Sequence, residues 1–504
     1  MTRMVLRAVA ALWLLIPPVA RADDVPPLHA GVGRVDITDR AAGRVNDPCY
    51  AKALVFRQGE RTAVLLTLDA VAIGEIGRIP HAFLPNLRAQ LEREFNIAPA
   101  DVVVNASHCH GIVRADTEQL AFDAVRQAVE GLVPVKVGAG ATSETRISEN
   151  RRLKLVGGGE TDMRRAYAMP ADDAVAAVGP IDPQVGLLRV DRADGSTLAV
   201  VYNFACHPIM NPPSKGNSAD FPGYASRLIE EGLPGATALF VQGCGGDINP
   251  RRYKELSVPA DAEPLGNLLG LAVLAAVRRI AVVDDRTLRT SNETIAVPRA
   301  ADYEARIAAI ERERLTLMNC FRATNIDFKT FVPLLLERRL APEFPSAYAQ
   351  SYLHERAIGD DGLQRLDTEK QAAVDAYLQN IRAMERLTRL NVNLALLKRH
   401  LAQTVAAGAS TLDVEVCGLR VGPFKLVTFP GELTVEVGLD IKRRADDPHA
   451  FVAGYTNGYI YYTPTEAQRR NPGYAQEDCD TLVAPEWRRR FELKARDVLR
   501  RLAN

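Results

Sequence analysis

The chain has 504 residues and a mass of 55.0 kDa, with 47% hydrophobic and 25% charged residues and a mean hydropathy of −0.09. That composition excludes a disordered chain, a collagen-like fibre and a coiled-coil rod, and it supplies apolar surface for a large core. The 62 Lys and Arg balance 62 Asp and Glu, which argues against a nucleic-acid binder, a class that carries a basic excess.

Residues 1–22 read as an export leader. Arg3 and Arg7 form a basic start, Val9–Ile16 an apolar stretch too short to span a bilayer, and Ala20–Ala22 a small-x-small cleavage site. Cleavage lowers Lys and Arg from 62 to 59, for a net charge of −3. The expected product is soluble and exported, periplasmic or secreted, with no transmembrane anchor. Seven cysteines leave at least one thiol unpaired, and without a CxxC pair a cysteine zinc knuckle is not expected. Most read as small buried hydrophobes.

Short β-rich runs then alternate with amphipathic helical stretches. Strands are expected at Ala51–Arg57 and Thr62–Leu68, a helix over 80–95, a strand at Val102–Asn105 and a helix near 116–131. Further strands follow at Val135–Gly138, Val185–Val190, Leu198–Phe204 and Ala236–Val241, with helices near 221–232 and 263–281. Interleaving of this kind indicates an α/β fold, a mixed β-sheet core with flanking helices. Residues 300–409 lack β pattern and read as a helical insertion, with one long helix from about 367 to 404 and one buried face along Leu387–Leu401. The β pattern returns at Thr411 and runs through Leu419–Val427. A helix from about 433, a strand near 450–453 and a Tyr-, Gly- and Pro-rich structured loop over 454–482 follow. The expected organisation is a leader (1–22), one domain built from 23–299 and 410–504, and the insertion (300–409).

Three of the eight histidines fall in two compact motifs, each at the end of an expected strand. In Asn105–Gly111 (NASHCHG), His108 and His110 are two apart, a spacing that places both imidazoles on one side of an extended chain. In Asn203–Pro208 (NFACHP), His207 ends the second strand. Histidines at strand ends are either a metal-ligand set or core histidines; three at two strand ends favour the former. Glu432, in the Phe429–Glu432 motif FPGE, adds a carboxylate at a helix start, where the helix dipole alone also favours one. Gly454–Thr465 packs Tyr455, Tyr459, Tyr461 and Tyr462 together, as half-buried aromatics or as phenols able to bind metal or donate a proton. The glycine-rich run Gln242–Pro250 lacks the lysine of a nucleotide-binding loop and reads instead as a tight turn presenting Asp247 or Asn249.

Taken together these segments resemble the catalytic domain of the neutral ceramidases. The run Gly33–Thr38 (GRVDIT), Asp47-Pro48, Asn150-Arg151, Ser218–Gly223 (SADFPG) and Pro464-Thr465 follow the family's order from about residue 30 to 300 and again from 410 to 485. The resemblance implies a Zn²⁺ site in which His108, His207, Glu432 and Tyr459 are ligands. It also implies His110 as the proton carrier beside the metal and Arg151 in the substrate pocket. Tyr462 is a further candidate oxyanion donor, and Asn249 and Asp247 candidate substrate contacts. Asn249 stands where the family carries a serine, Gly111-Ile112 replace a Ser-Gly-Pro run, and no immunoglobulin-like carboxy-terminal domain is evident. The expected activity is zinc-dependent hydrolysis of a linear N-acyl amide in a small-molecule or lipid-like substrate. The alternatives are a zinc esterase or deacetylase on a non-sphingoid substrate, and a non-catalytic lipid- or glycan-binding protein.

Overall fold

The computed structural model describes residues 26–162, 170–211, 214–253, 260–471 and 475–503; the expected leader lies outside the described residues. An eight-stranded mixed sheet is built from β1 (Leu28–Asp36), β2 (Tyr50–Gln58), β3 (Arg61–Leu68), β4 (Val102–Ala106), β5 (Val133–Ser143), β6 (Gln184–Arg192), β7 (Thr197–Phe204) and β8 (Thr237–Gln242). Its spatial order is β8-β7-β6-β5-β1-β2-β3-β4. The pairs β3–β4 and β7–β8 are parallel, and the two halves join through two residue pairs of β1 and β5. A second sheet takes β9 (Leu288–Pro298), β10 (Thr411–Val421), β11 (Phe424–Thr428) and β12 (Ala450–Ala453) in that order. The run expected as one strand over Leu419–Val427 is thus split between β10 and β11 by a turn at Gly422-Pro423.

The two sheets pack face to face. Leu54, Phe56, Leu65, Val190 and Val241 of the first meet Leu419, Phe424, Leu426 and Phe451 of the second. The strands β2 and β3 are near-continuous apolar runs because both faces are covered, by the second sheet on one side and by helices Phe83–Phe95 and Thr117–Glu130 on the other. Helices Asp220–Gly232 and Ala262–Val277 cover the β6–β8 half, and helices Val435–Ala445 and Trp487–Ala503 cover the outer face of the second sheet. The result is a four-layer α/β/β/α sandwich.

Neither β1 nor the helix Trp487–Ala503 was expected from the sequence. The first, LHAGVGRVD, has weak strand character because its glycines serve packing: a Cβ on Gly31 or Gly33 would sit 1.9 or 2.0 Å from a carbonyl oxygen of helix Thr117–Glu130. Between the paired strands β9 and β10 the chain leaves the sandwich as helices Tyr303–Asn319, Phe328–Leu340, Ala349–Ile358 and Gly362–Ala407. The last has 46 residues, a rod of about 70 Å. It docks through a buried ion pair, Arg389 Nη1 to Asp162 Oδ2 at 2.7 Å, and through Leu390 and Leu397.

Candidate metal centre

Local hydrogen bonds beyond the parallel strand ends position both histidines. Past β3 and β4, Ser107 N–H donates to Leu68 O and His108 N–H to Ala70 O, each at 2.9 Å. His108 takes a left-handed backbone conformation, φ 66°, which a β-carbon disfavours by about 1–2 kcal/mol. That turn brings its Nδ1 within 2.6 Å of Val71 O. On the other half of the sheet, His207 N–H and Nδ1 both face Ile248 O, at 2.9 and 3.1 Å.

Although β4 and β8 end the spatial order on opposite sides, the sheet curls until they touch. The Asn105 side chain bridges the closure, accepting from Gln242 N–H and donating to Gly454 O, each at 2.9 Å. Glu432 enters from the second half of the chain. A two-residue strand, Glu432–Leu433, pairs in parallel with Tyr462–Thr463, and the Gly246 turn lies so close that a Cβ there would be 2.5 Å from Glu432 O.

His108, His207 and Glu432 converge at this junction, all of them buried. Among the described residues they form the one cluster of three or more His, Cys, Asp or Glu ligand atoms within 4.8 Å of one another. Glu432 Oε2 lies 2.9 Å from His207 Nε2 and 3.6 Å from His108 Nε2. A carbonyl only accepts, so each Nδ1 carries a proton, and in the neutral ring each Nε2 presents a lone pair. Burial, reinforced by the Arg151 charge, holds the His207 imidazole down to about 3. For Glu432 burial acts upward, but the neighbouring His108 and His207 and the Tyr459 hydroxyl outweigh it and hold the carboxyl well below its ordinary range. At His207 the acceptor Nε2 therefore faces an acceptor oxygen, and with His108 beside them the group is a donor set that a divalent cation such as zinc fits, each imidazole steered by its carbonyl.

The aromatic loop closes over this group. Tyr459 OH donates to Glu432 Oε1, and Tyr455 OH to Oε2 at 3.2 Å; the Tyr455 ring lies 4.4 Å from that of His108. Tyr455 was not singled out from the sequence, where it was one of four adjacent tyrosines. Tyr462 stacks on His207 at 6.3 Å, and the Arg151 guanidinium lies 5.4 Å from the Tyr462 ring centre. Arg151 is buried: Nε pairs with Glu477 at 2.7 Å, Nη1 donates to Asn249 Oδ1 at 3.2 Å and Nη2 to Gly246 O at 2.5 Å. Among the described residues the Nδ2 of the buried Asn249 has no hydrogen-bond partner. Asp247 accepts from Val435 N–H at 2.8 Å and from Asn150 Nδ2 at 3.3 Å, so its carboxylate holds the start of helix Val435–Ala445. His110 is exposed, its ring 5.8 Å from that of His108, beside a cavity of about 250 Å³ walled by Val71, Ile79, Ile112 and Val113.

No family model matches the sequence, and no curated protein sequence does. Solved structures do match the fold. The crystal structure of neutral ceramidase from Pseudomonas aeruginosa aligns with a TM-score of 0.58 at 16% identity, over 94% of this chain and 74% of that one. A structure of a ceramidase complexed with C2 aligns with a TM-score of 0.59 at 17% identity, over 95% of this chain and 75% of that one. The chain therefore shares its fold with neutral ceramidase structures. Among the described residues no helix is long and apolar enough to cross a membrane.

Proposed function

We propose that the chain is an exported zinc-dependent hydrolase of a linear N-acyl amide bond in a lipid-like substrate. One observation carries the reading: two imidazole Nε2 atoms converge on one buried carboxylate in a fold shared with neutral ceramidase structures. His108, His207 and Glu432 would hold the metal, with Tyr459 as a fourth, weaker ligand whose hydroxyl already reaches Glu432. When bound, zinc supplies a Lewis acid that activates water for attack at neutral pH.

The side chains around it divide the remaining work. His110, exposed beside the centre, takes the proton from the attacking water and returns it to the leaving amine. The 250 Å³ cavity beside it receives the apolar part of the acyl group. Arg151 fixes the Asn249 amide by holding its oxygen, so the unpartnered Nδ2 is left to donate to a substrate oxygen. Tyr462, set between His207 and Arg151, donates to the charge that develops on the carbonyl oxygen. Asp247 acts through the turn it holds.

The test is hydrolysis of a labelled N-acylsphingosine by the purified protein, with and without a zinc chelator. Chelator-sensitive release of fatty acid is expected, and no release from zinc-loaded protein rejects ceramide as substrate. A second reading, a zinc esterase or deacetylase on a non-sphingoid substrate, is favoured by Asn249 in place of the family's serine. Product identity separates the two: amine with fatty acid, or alcohol with a carboxylic acid such as acetate.

A further inference from the structure

The helix Trp487–Ala503 buries Trp487, Phe491 and Leu502 on the second sheet and is otherwise strongly basic. Most of its cations are neutralised close by: Arg488 meets Asp440 and Glu492, Lys494 and Arg501 meet Glu293, and Arg500 meets Asp497. Arg489 and Arg496 are different. Both are exposed, and among the described residues neither makes an ion pair or a hydrogen bond. With Leu493 and Arg500 they recur every three or four residues, so the four side chains share one stripe of the helix. That stripe walls a groove of about 470 Å³, with Ile441, Arg444 and Ala445 of helix Val435–Ala445 on the other side. Buried Ala450 and Leu499 add apolar lining, and Leu493 is 49% exposed. The acidic residues in the groove have their own cations: Glu492 pairs with Arg444 at 3.0 Å and Asp447 with Lys425. The groove lies on the outer face of the second sheet and shares no residue with the metal centre.

We propose that this groove binds the anion of a single-chain fatty acid, its carboxylate on Arg489 and Arg496 and its alkyl chain along Leu493, Leu499, Ile441 and Ala445. Charge selects the head group: a guanidinium matches a carboxylate in plane and in sign, and these two have no competing partner among the described residues. They rise from points about 10 Å apart along the helix axis, a span that two long side chains can close on one head. The apolar lining selects the tail, because a chain laid there takes Leu493 and its neighbours out of water. Size favours one molecule, since small-molecule sites have volumes of about 300–1,000 Å³. A small anion has no chain for the apolar walls, and a neutral alcohol has no charge for the arginines. The inference is independent of the metal and of the reaction proposed for it.

Isothermal titration calorimetry of the full chain with decanoate, below its micellar concentration, tests the site; decyltrimethylammonium and sulfate are titrated in parallel. Saturable binding of decanoate is expected, and it should persist in His207→Ala, which separates it from any binding at the metal centre. The double variant Arg489→Gln, Arg496→Gln should bind about 10–100-fold more weakly at an unchanged melting temperature. Ala445→Phe, which fills the groove, should weaken binding with both arginines in place. Absence of decanoate binding overturns the proposal, as does equal affinity for decyltrimethylammonium or for sulfate. Undiminished affinity in the double arginine variant also overturns it. Sedimentation with phosphatidylglycerol vesicles in the absence of decanoate binding would assign the arginines to a membrane surface and equally overturn it.

Discussion

His207 Nε2 and Glu432 Oε2 stand 2.9 Å apart across 225 residues of sequence, and neither atom carries a proton with which to bond the other. His207 spends its ring proton on Ile248 O, and the surroundings of Glu432 keep it ionised. Two facing acceptors repel unless a cation lies between them. Zinc content of purified His207→Ala and Glu432→Gln, measured by mass spectrometry of the metal, should fall together with activity. The loss in affinity should exceed the roughly 10–100-fold that follows removal of an outer-shell partner. A full zinc complement in either variant would exclude that residue as a ligand.

His110 is exposed and stands outside the buried trio, so it is separable from metal binding. His110→Ala should retain zinc while turnover falls by about 10²–10⁴-fold, the usual worth of a positioned proton carrier. Its pH–rate profile should lose one limb. Retained turnover would remove His110 from the mechanism.

Two phenols, of Tyr455 and Tyr459, hold the Glu432 carboxylate. Tyr455→Phe deletes one donor and keeps the ring packed on His108, so zinc affinity should fall by about 10–100-fold with the fold intact. Competition with a zinc-binding dye measures it. A Tyr455→Phe affinity equal to that of the unsubstituted chain would show the bond to be incidental.

Asp69 lies in a cleft with Asp47, Lys52 and Glu230, where burial, opposed by the Lys52 charge and the Tyr50 N–H, pushes its carboxyl up to about 6. A carboxyl raised in the folded state contributes stability that is fully present below its ordinary value near 4 and is lost as pH rises through about 6. Asp69→Asn keeps an acceptor for Tyr50 N–H and removes the charge. Calorimetry should find its melting temperature roughly 2–4 °C above the unsubstituted chain at pH 7.5 and no higher at pH 4. An equal difference at both pH values would assign the effect to packing.

The long helix Gly362–Ala407 reaches the loops that support the candidate metal centre. Gln403 Nε2 donates to Tyr461 OH and to Glu75, each at 3.1 Å, and His400 Nε2 lies 2.8 Å from Asp480 Oδ1. Arg389→Met would leave the buried Asp162 carboxylate the Gln476 N–H but not its arginine counter-charge, and should cost about 3 kcal/mol. Limited proteolysis should then cut the insertion faster than in the unsubstituted chain. Unchanged cleavage would mean that the helix docks without this pair.

Much of this architecture was legible in the sequence because it is written in local periods. The apolar runs of β2, β3 and β7 and the amphipathic spacing of helix Thr117–Glu130 depend on neighbours a few residues away. His108, His207 and Glu432 were legible as candidates because each follows a strand end. By contrast, β1 escaped notice because its glycines answer to a helix about 90 residues later, and Tyr455 because a run of tyrosines does not say which phenol turns inward.

The sequence by itself determined the α/β alternation, the helical insertion between two strands and the chemical types able to hold a metal, all consequences of side-chain pattern over short spans. Only the tertiary structure decided that they meet. The opposite edges of an eight-stranded sheet close through Asn105, and the Gly246 turn admits the Glu432 strand. Long-range packing then places imidazoles and carboxylate within one coordination radius, a property of the assembled core that no local stretch of the chain possesses.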